Sequence, residues 1–158
     1  MSKNHIFYTS LEWDRANGAG TTNYTSYSRN HIISSKGKKP ILGSSDPVFR
    51  GDGTRYNPEE LLVASLSSCH MLWYLHLCAD AGVVVTAYTD SAKGTMTEDS
   101  TGNAKFTEVM LHPIVTVKDS SMEKKALELH HEANKKCFIA NSCNFPVKHT
   151  PVIKIQQD

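Results

Sequence analysis

Residues Asn57 to Gly82 read NPEELLVASLSSCHMLWYLHLCADAG, and their reading decides the fold. Asn57 has a side-chain oxygen suited to cap a helix, Pro58 carries the backbone angle a first turn needs, and Glu60 stands at capping-box spacing. The predicted helix runs from Pro58 to about Ala81, where Gly82 supplies a left-handed stop. Apolar residues occur on all of its faces, so it is expected to be buried on all sides. A chain of 158 residues has too little of its own protein to cover such a helix. Two chains wrapping two such helices would cover both, and a homodimer is expected.

Cys69 sits in the middle of that helix. A thiol in an apolar helix is ordinarily inert packing, but Ser67, Ser68 and His70 place polar groups where a plain core would not. Cys78 lies nine residues further on, on the opposite face and about 13 Å along the axis. The two cannot bridge within one chain, and Cys78 reads as core. Cys137 and Cys143 follow a second predicted helix closely, and one of them could meet Cys69 if that helix packs on the first. A zinc site built from Cys137, Cys143 and His130 or His131 is the rival reading. Its spacing fits no common zinc motif and the chain has no Cys-x-x-Cys pair, so no metal is expected. The other histidines, of eight in all, read as surface or satisfied core residues.

A reactive thiolate needs a nearby cation or a helix N-terminus. Cys69 lies about three turns into its helix, where the dipole is weak, so the charge must come from an arginine elsewhere. Arg29, in the strand-like Tyr27-Ser-Arg29-Asn-His31, is one candidate; Arg50 and Arg55 lie closer in sequence to the helix start.

Around this helix the chain reads as strands. Ile6 to Trp13, Thr21 to Ser34 and Pro40 to Phe49 are β-type runs punctuated by Gly18, Gly20, Gly37 and Gly43. Val83 to Met96 and Lys105 to Val117 flank a turn at Thr97 to Asn103 and read as one long hairpin. Ser120 or Ser121 caps a second helix from Met122 to about Lys136, with Met122, Ala126, Leu129 and Ala133 as its apolar stripe. Val147 to Ile155 is a last strand. The whole, residues 1–158, is expected to be a single α+β domain. A net charge of +1, without a basic field, speaks against a nucleic-acid partner. The N-terminus lacks a secretory pattern, and the reading finds no uncharged apolar run of 18 residues to span a bilayer, so a cytoplasmic protein is expected. In that reducing compartment the four cysteines are expected to be catalytic, metal-binding or buried, and any disulfide transient.

Two strings carry a more specific signal: Gly51-Asp-Gly-Thr-Arg55-Tyr-Asn57-Pro58-Glu59-Glu60-Leu61-Leu62-Val-Ala-Ser-Leu-Ser-Ser-Cys69-His70, and His131-Glu-Ala-Asn-Lys-Lys-Cys137-Phe-Ile-Ala-Asn-Ser142. Together they resemble the OsmC/Ohr family of osmotically inducible and organic hydroperoxide resistance proteins. The resemblance implies an OsmC-like α+β fold with sheets wrapped around a long central helix, and an intertwined homodimer. It also implies cysteine-based reduction of organic hydroperoxides in oxidative stress defence, without a cofactor. By matching position, Cys69 is the peroxidatic cysteine, Cys137 the resolving one, and Glu59 the carboxylate that orients an activating arginine. Arg29 is the choice for that arginine, with Arg50 and Arg55 as alternatives.

Glu59 and Cys69 are ten residues apart, about 15 Å on an unbroken helix, so each active site is expected to be shared between two subunits. An external dithiol, of the lipoyl type for example, would regenerate the enzyme. Leu62, Leu66, Met71, Leu72, Trp73 and Phe138 would wall the site and favour alkyl or lipid hydroperoxides over hydrogen peroxide, and are equally explained as ordinary core. Phe138 departs from the family, many of whose members place proline after the resolving cysteine, and Cys143 is an extra thiol nearby. These features suggest a separate subfamily, and the alternative reading is a non-turnover oxidant sensor or binder of small apolar molecules.

Overall fold

The cap at Asn57 forms as its sequence requires: its side-chain oxygen accepts a hydrogen bond from Glu60 N at 2.7 Å, and the Glu60 carboxylate accepts one from Asn57 N at 3.1 Å. Helix α1 then runs Pro58–Asp80, and Gly82 follows with φ 72°. This computed structural model describes residues 3–14 and 20–157, so the expected Gly18 turn lies outside the described residues. The chain divides into two units, Met1–Leu61 and Leu62–Asp158, with the boundary inside the first turns of α1.

In the first unit, β1 (Ser10–Trp13), β2 (His31–Ser34) and β3 (Ile41–Gly43) form an antiparallel sheet in the order β1-β2-β3. The strands are shorter than the sequence suggested. Residues 20–27 form turns held by side chains, such as Ser26 Oγ donating to Gly20 O at 2.9 Å, and Pro47–Phe49 is a short 3-10 turn capped by Asp46.

The second unit resolves the expected hairpin into a ribbon broken at matching points. Its strands are β4 (Val85–Asp90), β5 (Lys93–Glu98), β6 (Ala104–Leu111) and β7 (Pro113–Val117). The inner pair β5–β6 and the outer pair β4–β7 are both antiparallel. The last strand breaks too, into β8 (Val147–His149) and β9 (Val152–Ile155) around Pro151, and these add in parallel to β6 and β7. Two sheets result, β4-β7-β9 and β5-β6-β8. The Asp90 carboxylate holds the break, accepting from His112 N at 2.7 Å and from Ser67 Oγ of α1 at 2.5 Å.

Helix α2 spans Glu123–Lys136, after a 3-10 turn Ser120–Met122. Neither Ser120 nor Ser121 caps α2: Asp119 caps the 3-10 turn, its carboxylate accepting from Ser121 N at 3.0 Å, and α2 continues from that turn with Met122 at its N-cap position and no side-chain cap bond. Ala126, Leu129, His130 and Ala133 make the buried stripe of α2, and Met122 packs at its edge.

One expectation for α1 is corrected, and another is seen here for one chain alone. Its fully buried residues are Leu66, His70, Tyr74 and Cys78, a single row at four-residue spacing, so one chain buries the helix along one face and leaves the others open, as expected of a chain with too little protein to cover it. One unit's sheets and second helix can cover only one side of a cylinder; Leu72 stays 63% exposed. The helix is also long and apolar enough, by length and composition, to cross a membrane, with a mean hydropathy of 1.4, against the expectation that no such run exists. Leu61 to Cys78 carries no Asp, Glu, Lys or Arg, and its serines and histidines do not outweigh the leucines. The buried row joins two apolar clusters: Tyr74 and Cys78 pack with Val115, Val117, Ala126 and Ala133, while Leu66 packs with Val109 and Leu111.

Candidate active site

Cys69 and Cys137 come together in the second unit. Cys69 projects from the middle of α1 and is partly exposed; Cys137 caps the C-terminal end of α2 and is 1% exposed. All four cysteines are free thiols. Burial first, and then the adjacent Cys69 thiol, push the Cys137 thiol up to about 11, against the Ala140 backbone N–H that donates to its sulfur at 3.4 Å. Cys137 therefore keeps its proton at neutral pH. Of the two residues, Cys69 is the more exposed. Two thiols so placed can be joined by an oxidant and parted by a reductant without refolding.

The surroundings sort the expected wall residues. Leu66 is fully buried and Leu62 packs against its cluster, so both belong to the core and not to a substrate wall. Trp73, one turn beyond Cys69, meets the exposed ring of Phe138 edge-on at 5.3 Å and 90°, with Lys136 Nζ 5.6 Å over the indole. Cys143 is partly exposed, and its thiol donates to Ile139 O at 3.3 Å. Cys78 is core as expected, and burial raises its thiol.

The sequence reading missed a cluster of buried polar rings behind the thiols. His70 Nε2 and His130 Nδ1 are 3.0 Å apart, Tyr74 stacks on His130 at 3.8 Å, and His149 stands 5.4 Å and 6.0 Å from the two imidazoles. Burial holds His70 down to about 4 and His130 to about 3, so both are neutral at pH 7. The available signal was the four-residue row on α1, which puts His70 level with Leu66 and Tyr74. Among the described residues no group of three or more His, Cys, Asp or Glu is arranged to hold a metal ion.

Arg29 and Glu59 belong to the first unit. The Arg29 guanidinium lies over the Tyr27 ring at 3.9 Å and the Tyr24 ring at 4.6 Å, and donates to Tyr27 O at 2.5 Å and Tyr24 O at 2.6 Å. Glu59 is in the first turn of α1. Among the described residues neither makes an ion pair; Arg55 pairs with Asp52 at 3.5 Å, and Arg50 follows the Pro47–Phe49 turn with φ 65°. Tyr24 and Tyr27, which hold the guanidinium, stand in the Tyr-rich stretch just before it.

With this geometry in hand, the profile of the OsmC family, described as OsmC-like protein, matches residues 51–151, from before the α1 cap to the turn between β8 and β9. The chain belongs to the OsmC family. An OsmC-like protein of unknown function from Vibrio cholerae O1 biovar eltor superposes with a TM-score of 0.85 at 32% identity, over 94% of this chain and 100% of that one. An organic hydroperoxide resistance protein from Elizabethkingia anophelis shares the fold at a TM-score of 0.69 and 18% identity, over 99% and 100% of the two chains. An organic hydroperoxide resistance protein OsmC from Legionella pneumophila does so at 0.67 and 16%, over 96% and 99%. No curated protein matches the chain. The α+β architecture of this OsmC-like protein, with its long helix, is thus that of OsmC and organic hydroperoxide resistance structures.

Proposed function

We propose that this OsmC-like protein is a thiol-dependent peroxidase that reduces organic hydroperoxides in the cytoplasm. The observation that carries the reading is the meeting of Cys69, partly exposed, with Cys137, buried and protonated, as free thiols. In this reading the Cys69 sulfur attacks the outer oxygen of ROOH; the O–O bond breaks, ROH leaves with a proton, and Cys69 becomes a sulfenic acid. Cys137 displaces the hydroxyl as water and forms the Cys69–Cys137 disulfide. An external dithiol, of lipoyl type for example, returns both to thiols and is itself oxidised. Trp73 and Phe138 offer an apolar surface beside the sulfurs for the alkyl group.

Arg29 is assigned the role of stabilising the attacking thiolate, with Glu59 orienting it. Its cation–π contacts with Tyr24 and Tyr27 are then a resting position from which the guanidinium must be released. The uncovered apolar faces of α1 support a homodimer, and the ten residues between Glu59 and Cys69, about 15 Å on one helix, support sites shared between its subunits.

The test is steady-state reduction of cumene hydroperoxide and hydrogen peroxide with a dihydrolipoyl regenerating system, for native protein and Cys69→Ser. The expected result is turnover that prefers cumene hydroperoxide and is abolished by the serine. Stoichiometric oxidation of Cys69 without turnover, under every dithiol tried, would replace the peroxidase with an oxidant sensor. Activity in a demonstrated monomer would refute the shared site.

A further inference from the structure

The buried row of α1 contains an imidazole between Leu66 and Tyr74, and α2 presents another to it. His70 and His130 are 1% and 0% exposed. Their rings are nearly parallel, at 8°, with centroids 5.3 Å apart, beyond face-to-face contact, so they meet edge to edge through the 3.0 Å Nε2···Nδ1 hydrogen bond. The Tyr74 ring, one turn further along α1, lies flat on His130 at 3.8 Å and 12°. His130 is therefore gripped from two directions by one helix. The bond sets its distance from α1, and the stack sets its roll.

This arrangement is chemically costly. A neutral imidazole has one N–H and one lone pair, and the shared bond uses one of each. The outer nitrogens, His70 Nδ1 and His130 Nε2, are buried without a hydrogen-bond partner among the described residues. Two aliphatic side chains would fill the same space without that penalty, but they would not fix a distance or an orientation. His149, the third ring, closes the cluster from β8.

Both histidines are placed to pass that geometry on. His70 is bonded through the backbone to Cys69. His130 lies seven residues before Cys137, almost two turns, which puts both on one side of α2 and about 10 Å apart along it. We infer that His70 and His130 are positioning residues for the thiol pair: their bond holds α2 in register with α1 and so sets the approach of Cys137 to Cys69. A disulfide requires Cβ atoms about 3.5–4.5 Å apart, and a misplacement of about 1 Å can slow a positioned reaction about 100-fold. The step concerned is Cys69–SOH + Cys137–SH giving Cys69–S–S–Cys137 and water. The sulfenic sulfur is reduced, the thiol sulfur oxidised, and the hydroxyl leaves with the thiol proton. The inference rests on the peroxidase reading, because it concerns the resolving step of that cycle.

The test treats reduced full-length protein with one equivalent of cumene hydroperoxide. It follows sulfenic acid by dimedone capture and the bridge by peptide mapping, and the Cys69–Cys137 effective molarity is measured in a dithiothreitol redox buffer. In His130→Leu, sulfenic acid is expected to form at a rate within about twofold of the wild type. Bridge formation is expected to slow, and effective molarity to fall, by about 10-fold or more. His130→Asn keeps a polar atom near the Nδ1 position and is expected to recover most of both. A folded His130→Leu protein with wild-type bridging and effective molarity overturns the proposal. So does one in which sulfenic acid formation slows as much as bridging. If His130→Leu does not fold, His70→Gln, which keeps a polar atom near Nε2, is compared with His70→Asn, which falls short of it; equal bridging in these two also overturns the proposal. A wild type that bridges with diamide but not with peroxide removes the peroxidase reading, and the positioning role of the His70–His130 bond is then judged on the diamide bridge alone.

Discussion

Cys69 and Cys137 face each other from opposite kinds of backbone. Cys69 is mid-helix on α1, partly exposed, and flanked by Ser67, which donates to Asp90, and His70, which is buried. Cys137 ends α2 in an extended conformation, buried, with its thiol raised to about 11. The difference fits the division of labour that the proposed cycle needs: one thiol at a partly exposed helix position, and a second that is buried and keeps its proton.

The largest effect expected is on turnover. Cys69→Ser should abolish peroxide reduction, a loss of at least about 1,000-fold, whereas Cys137→Ser should still consume one equivalent and accumulate a sulfenic acid that dimedone traps. Equal behaviour of the two variants in a stopped-flow and mass-spectrometric comparison would break the asymmetry. Next comes the packing that supports the open thiol. Leu66→Ala, which empties a fully buried site one turn before His70, should cost about 2–5 kcal/mol in urea unfolding. A cost below about 1 kcal/mol would show that α1 is not anchored through its buried row.

The pH dependence of stability sharpens the contrast at both ends of the scale. His70 and His130 have folded values below their ordinary 6.5, so the unfolded chain binds more protons in acid. Their contribution is present above pH 6.5 and is lost as pH falls through about 4 and 3. Cys137 is raised from 9.0 to about 11, so its contribution is present below pH 9 and is lost as pH rises through 11. Urea midpoints from pH 3 to pH 11 should fall at both ends, with Cys137→Ser flattening only the alkaline fall and His130→Leu only the acid one. The smallest effect concerns the helix starts. Asn57→Ala removes one half of a two-bond cap and should cost about 1 kcal/mol by thermal unfolding; Asp119→Ala, at an exposed cap, should cost less.

Much of the fold was legible because its signals are local. The Asn57, Pro58, Glu60 and Gly82 pattern placed α1 within a residue, since capping bonds span three or four positions. The hairpin was legible as alternation, but its break was not. The break depends on Asp90 reaching His112 and Ser67 across long stretches of chain, and no window of sequence contains all three. For the site, the resemblance to OsmC proteins named both cysteines, and the tertiary structure brought them together. Leu66 and Leu62 read equally as substrate wall or as core, because a leucine on the same helix as a thiol looks the same in sequence whether it faces a core or a cleft, and packing on Val109 and Leu111 decided for core at Leu66.

By itself the sequence determined the long helix, its limits, the class of fold and the two thiols to watch, because hydrophobic periodicity and capping chemistry are written residue by residue. Only the tertiary structure decided that α1 buries a single row, that Cys137 is shielded against Cys69, and that His70 and His130 share one bond between the helices. Those facts depend on side chains far apart in the chain meeting in space, His70 and His130 across sixty residues and the α1 row on strands about forty residues away, and their distance is a property of the packed chain.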